Sequence, residues 1–375
     1  MAEWHEMISR SAFKVVAIIA VISLSSCVSR PTSEVLKPVK LDGAAGQEIT
    51  VLAATNRTPN ATEPGFGGAW AGKLSYERYQ ISAPPQRKGT AITYVNGTPK
   101  PDRQYIVKDR HQLTKQDFLS DALRSIGPDG TMGVFIHGYN YSYQEALFRI
   151  AQIGADARLP GAPILFSWPS AAVVAGYVAD RDAALASRGD LHELVQALSE
   201  SSKVRRIVLF AHSMGAFLTM ETVRELKLQG RDDVLRKLTV VLAAPDIDVD
   251  VFRAQLRDIG RMQTPITLLV SKVDRALSVS SLIGGERQRV GRMDVDDPIV
   301  QEAAVKEGVR VIDITSVAGS DGLGHDRYAS LAGFGAQEIA REGHGGASLA
   351  GVGAFVFNTA GDIAASPFRL AGKAF

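Results

Sequence analysis

Short apolar runs alternate with helical periods along most of the chain. Ile49 to Ala54 and Leu74 to Ile81 read as strands; Thr55-Asn56-Arg57 and a Gly/Pro-rich loop lie between them, and Ala83-Pro84-Pro85 ends the second. Tyr105 to Val107 predicts a short strand, and Phe118 to Ile126 a helix closed by Gly127-Pro128. Gly133 to Ile136 is the next apolar run. After it, Ser142 and Glu145 form a capping-box pattern that opens a helix carrying Leu147, Phe148, Ile150 and Ile153. Pro163 to Trp168 gives another strand. A helix follows over about 180–199, with Leu185, Leu191, Leu194, Val195 and Leu198 along one side and Gly189 as a kink.

The change of period is sharpest around residue 213. Ile207 to Phe210 is a continuous run rich in branched side chains, as in a strand buried on both faces. Helical spacing then begins at once through Phe217, Leu218, Met220, Val223 and Leu226, with Gly230 at the C-terminal cap. Leu238 to Ala243, Pro265 to Val270 and Val309 to Ile314 complete the strands. Such alternation predicts an α/β fold: a mostly parallel sheet with right-handed crossovers and helices on both faces.

With 375 residues and 45% hydrophobic content, the chain can bury a large core, and one main domain over 49–341 accounts for it. A net charge of +2 without a basic stripe argues against nucleic acid as a partner. The single cysteine, Cys27, excludes an intramolecular disulfide and a thiolate metal cage. Arg10 and Lys14 precede the apolar run Val15 to Leu24, which reads as an export signal over 1–27. That run of about ten residues is too short for a bilayer span of about 20. Leu24-Ser25-Ser26-Cys27 resembles the lipobox of bacterial lipoproteins, which implies acylation of Cys27 and attachment to a membrane. Val28 in place of aspartate implies delivery to the outer membrane, facing the periplasm. Residues 28–48 read as a tether, and the Gly/Ala-rich residues 342–375 as a tail.

The candidate chemistry centres on Ser213, which sits where strand gives way to helix, between the small residues Ala211 and Gly215. Ala211-His212-Ser213-Met214-Gly215 resembles the nucleophile elbow of α/β-hydrolases, with alanine where glycine is usual. His137-Gly138-Tyr139-Asn140, at the end of an apolar run, resembles the loop that shapes the oxyanion hole of that fold. A tetrahedral intermediate needs fixed N–H groups on its oxyanion, and the backbone N–H of Met214 and of Tyr139 are the candidates. His137 itself reads as structural. A serine also needs a base, and the hydrolase order of serine, acid and histidine singles out His325 among seven histidines. For the acid, Asp274 is favoured by that order, while Asp246 and Asp248 follow the adjacent strand, where some hydrolases place theirs. Trp168 is either a pocket wall or packing.

With Ala-Thr-Asn-Arg, Ala-Pro-Asp-Ile-Asp, Ser-Lys-Val-Asp-Arg-Ala-Leu and Gly-His-Asp-Arg-Tyr, these motifs resemble a bacterial α/β-hydrolase family of unknown function over about residues 49 to 341. The resemblance implies the fold and the triad, and implies no metal or organic cofactor. The expectation is a lipid-anchored envelope serine hydrolase that acts on a small-molecule or lipid ester through an acyl-enzyme. An acyltransferase with the same triad, or a non-catalytic scaffold lipoprotein, is the alternative. The segments 171–180 and 278–298 are the candidates to cover a pocket.

Overall fold

The expected strands lie side by side in one sheet of the computed structural model, which describes residues 30–41, 46–87, 89–332 and 370–371. In chain order they are β1 (Gln47–Pro59), β2 (Phe66–Ala83), β3 (Ile106–Leu113), β4 (Thr131–Ile136), β5 (Ile164–Ser167), β6 (Arg206–His212), β7 (Leu238–Ala243), β8 (Ile266–Val270), β9 (Val309–Asp313) and β10 (Leu370–Ala371). Their order in space is β10-β9-β8-β7-β6-β4-β5-β1-β2-β3. From β1 through β5, β4, β6, β7 and β8 to β9 all neighbours are parallel, whereas β2 and β10 run antiparallel to theirs. β6 and β7 are buried almost end to end, which explains their unbroken apolar sequences.

The helices are α1 (Lys115–Arg124), α2 (Tyr143–Ala157), α3 (Tyr177–Ala186), α4 (Arg188–Ser199), α5 (Met214–Leu228), α6 (Asp232–Leu235), α7 (Val249–Ile259), α8 (Arg275–Ile283) and α9 (Pro298–Glu307), followed by a helix whose described residues are 327–332. On one face of the sheet, Leu191, Leu194 and Val195 of α4, Leu218, Met220 and Val223 of α5 and Phe252 and Leu256 of α7 share a core with Val134, Leu209 and Leu242. On the other face, Leu147, Phe148 and Ile150 of α2 and Tyr328 and Leu331 of the last helix pack on Phe135, Phe210 and Val241. The fold is therefore the α/β-hydrolase architecture, a mostly parallel sheet with helices on both sides.

Several boundaries differ from the sequence reading. The helix expected over 118–126 begins at Lys115, because Thr114 caps it by accepting the Asp117 N–H. The helix expected over 180–199 is two helices that meet at Ser187 rather than one kinked at Gly189. The Ser187 hydroxyl donates to the Ala183 carbonyl and accepts from Asn56 Nδ2 at 2.9 Å, a side-chain bond that competes with the helix ladder. Of the segment 278–298, the first part belongs to α8. Part of the expected tether over 28–48 is packed: Ser33–Leu36 form a 3₁₀ turn that buries Val35 and Leu36, and the Val39 N–H donates to the Val107 carbonyl. The signal with Cys27 lies outside the described residues, as does the tail apart from β10. Among the described residues no helix is long and apolar enough to cross a membrane. The chain divides into two compact units, Met1–Thr32 and Ser33–Phe375, and every element named here belongs to the second.

Candidate active site

The sheet reverses its winding at β4, which lies between β5 and β6. In open α/β sheets a crevice forms at such a reversal, beyond the carboxyl ends of the strands. β4 leads there into His137-Gly138, and β6 ends at His212 with Ser213 next.

Ser213 adopts φ 54° and ψ −120°, a conformation that costs a residue with a β-carbon on the order of 1–3 kcal/mol. Backbone bonds on both sides hold it: its N–H donates to the Ala243 carbonyl at 2.9 Å, and its carbonyl accepts from Ala216 N at 3.0 Å and Asp246 N at 3.2 Å. Gly215 is required, since a β-carbon there would stand 2.3 Å from the His137 carbonyl oxygen. Ala211, by contrast, is a regular strand residue paired with Ile136 and Leu242, so alanine fits where glycine is usual. The Ser213 side chain is buried, and among the described residues its hydroxyl makes no hydrogen bond. Met214 opens α5, at the positive end of a helix whose first N–H groups have no carbonyl within the helix to bond.

The structure brings Asp274 and His325 together. His325 Nδ1 lies 2.7 Å from Asp274 Oδ2. A carboxylate accepts, so the neutral ring carries its proton on Nδ1 and leaves Nε2 as the basic atom. Asp274 is fully buried, and its other oxygen caps α8 by accepting the Leu277 N–H at 2.9 Å. Burial alone would lower the His325 pKa. The charge and hydrogen bond of Asp274, with Asp321 and Asp246 beyond, outweigh it and hold the pKa above the ordinary histidine value. The His325 N–H is in turn held by the Asp321 carboxylate, at 3.0 and 3.1 Å.

The other acids considered lie elsewhere. Asp246 accepts from the Tyr177 hydroxyl at 2.9 Å and from Ser280 Oγ, and pairs with Arg289 at 3.2 Å. Burial and this carboxylate push the Tyr177 phenol up to about 12. Asp248 caps α7 and pairs with Arg287. Neither bonds to His325, and none of the hydrogen bonds links His325 to the Ser213 hydroxyl.

The turn after β4 is held by buried polar groups. His137 Nδ1 donates to the Gly138 carbonyl at 2.8 Å, so its Nε2 accepts, from Ser167 Oγ at 3.1 Å. Burial, then the neighbouring Arg57, push its pKa down to about 3, so the ring is neutral. Trp168 is fully buried, stacks on that ring and donates to the His137 carbonyl at 2.8 Å; it is packing, not a pocket wall. Arg57, fully buried and bonded to no carboxylate among the described residues, donates to the carbonyls of Gly67, Ser170 and Tyr141 and to Ser167 Oγ. Burial lowers its pKa to about 9. Asp180 accepts from Asn140 N, Ala171 N and Ser170 Oγ. The Tyr139 hydroxyl donates to the carbonyl of Val174, and its ring packs edge-on against Tyr177. A β-carbon on Gly138 would stand 2.9 Å from Ser213 Cβ, so this turn borders the elbow directly.

Asn56, Arg57, Ser170, Asp180 and Asp321 carry no motif in the sequence that marks them as parts of the site. Asn56 and Arg57 have partners more than a hundred positions along the chain, whereas Asp321 and Asp180 bond within ten residues but to loops without periodicity. Among the described residues no group of three or more His, Cys, Asp or Glu side chains could hold a metal ion. A cavity of about 620 Å³ lined by Phe252, Leu256, Ile299 and Val311 lies between α7, α9 and the β8–β9 edge, and none of the candidate catalytic residues lines it.

No curated protein matches the chain. A solved structure from Agrobacterium vitis S4, named "Putative hydrolase", is 12% identical, with 70% of this chain and 98% of that chain covered and a TM-score of 0.27. The family model described as alpha/beta hydrolase of unknown function (DUF900) matches residues 112–341, more than half of the chain, and the protein belongs to that family.

Proposed function

We propose that the protein is a serine hydrolase of carboxylic esters. The observation that carries this reading is the Asp274–His325 pair, packed against the residue that precedes a positive-φ serine. Ser213 Oγ attacks the ester carbonyl and gives its proton to His325 Nε2. Asp274 keeps the other ring proton on Nδ1 and stabilises the imidazolium. The N–H groups of Met214 and Tyr139 receive the oxyanion. The proton then passes from His325 to the departing alcohol. Water, deprotonated by the same ring, releases the acid from Ser213.

Exposed apolar side chains support a substrate with an apolar acyl part. Val173, Val174 and Val178 stand on or next to the segment bonded to Tyr139, and Val273 and Leu323 lie one and two residues from Asp274 and His325 along the chain. A lipid anchor at Cys27, facing the periplasm from the outer membrane, is part of the same reading and rests on the sequence alone. Turnover of p-nitrophenyl esters of graded acyl length tests the activity. Longer chains are expected to raise kcat/KM, and the Ser213→Ala variant to remove turnover; equal rates in wild type and variant would dismiss the reading. Incorporation of labelled palmitate, lost in Cys27→Ala, tests the anchor.

A further inference from the structure

His325 is fixed at three points: its ring by Asp274, its N–H by Asp321, and its carbonyl by His212. His212 Nε2 lies 3.2 Å from the His325 carbonyl oxygen. A carbonyl accepts only, so Nε2 carries the proton and Nδ1 is an acceptor without a partner among the described residues. That Nδ1 faces the other half of the site, since a β-carbon on Gly138 would stand 2.9 Å from it. The imidazole is 2% exposed and lies between the His325 ring, at 4.5 Å between centroids, and the Tyr328 ring at 4.4 Å. Burial, then the nearby His325, hold its pKa well below the ordinary value, so it stays a neutral donor.

We infer that His212 is a positioning residue that spaces the base-bearing loop from the turn after β4, with Nε2–H as the bond that sets where His325 stands. This rests on the proposed serine chemistry, because it assigns a role to a neighbour of the base. Any buried neutral imidazole must pair its one N–H, and here the acceptor is the carbonyl of the base-bearing residue itself. Because Ser213 Oγ and His325 are not hydrogen-bonded to each other, the register of the His325 loop decides whether they meet. A displacement of about 1 Å in such a constellation can cost about 10²-fold in rate.

The test compares three substitutions in the full-length chain: His212→Gln, whose amide N–H reaches the place of Nε2, and His212→Asn and His212→Leu, which put no donor there. Kinetics with p-nitrophenyl butyrate give kcat and KM, referred to the fraction of protein that melts cooperatively. Rates of fluorophosphonate labelling at Ser213 are measured in parallel. The Asn and Leu variants are expected to lose about 10²-fold in kcat and in labelling rate with KM nearly unchanged, and Gln to regain most of the loss. Wild-type kcat in either Asn or Leu, or a folded Gln variant as slow as both, overturns the assignment. Absence of labelling in the wild type itself would instead overturn the serine chemistry.

Discussion

At the scale of single residues, the site turns on which histidine holds a proton at which pH. In the proposed reaction His325 must be neutral to accept from Ser213, and its pKa is raised above 6.5 by Asp274 against the effect of burial. The acid limb of kcat/KM is therefore expected above 6.5, and Asp274→Asn should move it downward while lowering kcat by on the order of 10⁴. Stability behaves in the opposite sense. A raised pKa contributes stability that is complete below the unfolded value near 6.5 and is lost as pH rises through the folded value. His137 and His212 have depressed pKa values, so the folded chain resists the protons that the unfolded chain takes up below about 6.5. Each ring should then cost up to roughly 1.4 kcal/mol per pH unit on acidification, measured as a falling urea midpoint from pH 6.5 to 5.5. Ser213 was legible as a candidate because the elbow is five consecutive residues. His212 was not, because its partner His325 lies 113 positions away.

At the scale of elements, the turn after β4 keeps its shape through groups from three other segments. Arg57 from β1 spans Gly67, Ser167, Ser170 and Tyr141, a set that only a planar guanidinium reaches at once. Arg57→Lys is expected to leave carbonyls unpaired, to cost roughly 1–3 kcal/mol in chemical denaturation, and to lower kcat more than it alters KM. Strands β4 to β9 and the capping box at Ser142 could be read directly from local patterns, whereas β2 begins at Phe66, inside the stretch expected as loop. The break at Ser187 could not, because Asn56 on a distant strand sets it, while Gly189 falls harmlessly in the first turn of α4. Asp274 serves twice: one oxygen caps α8 and the other accepts from His325, 51 positions away.

At the scale of the molecule, the sheet reversal at β4 gathers chain segments near residues 138, 213, 274 and 325. Alternating periods foretold a parallel sheet, but periodicity does not say which strands are neighbours. The limit of the domain was also hidden. Val35 and Leu36 lie in a stretch without an apolar period, yet one 3₁₀ turn buries them against the domain. Leu36→Ala should therefore cost roughly 2–5 kcal/mol, seen as a lower denaturation midpoint.

In the proposed function Ser213 is a nucleophile activated by His325. Reacting the full-length protein with a fluorophosphonate and locating the adduct by peptide mass spectrometry tests it most directly. The account predicts one adduct, on Ser213, forming much more slowly in His325→Ala. A folded protein that stays unmodified at Ser213, or is modified equally fast without the His325 ring, would contradict it.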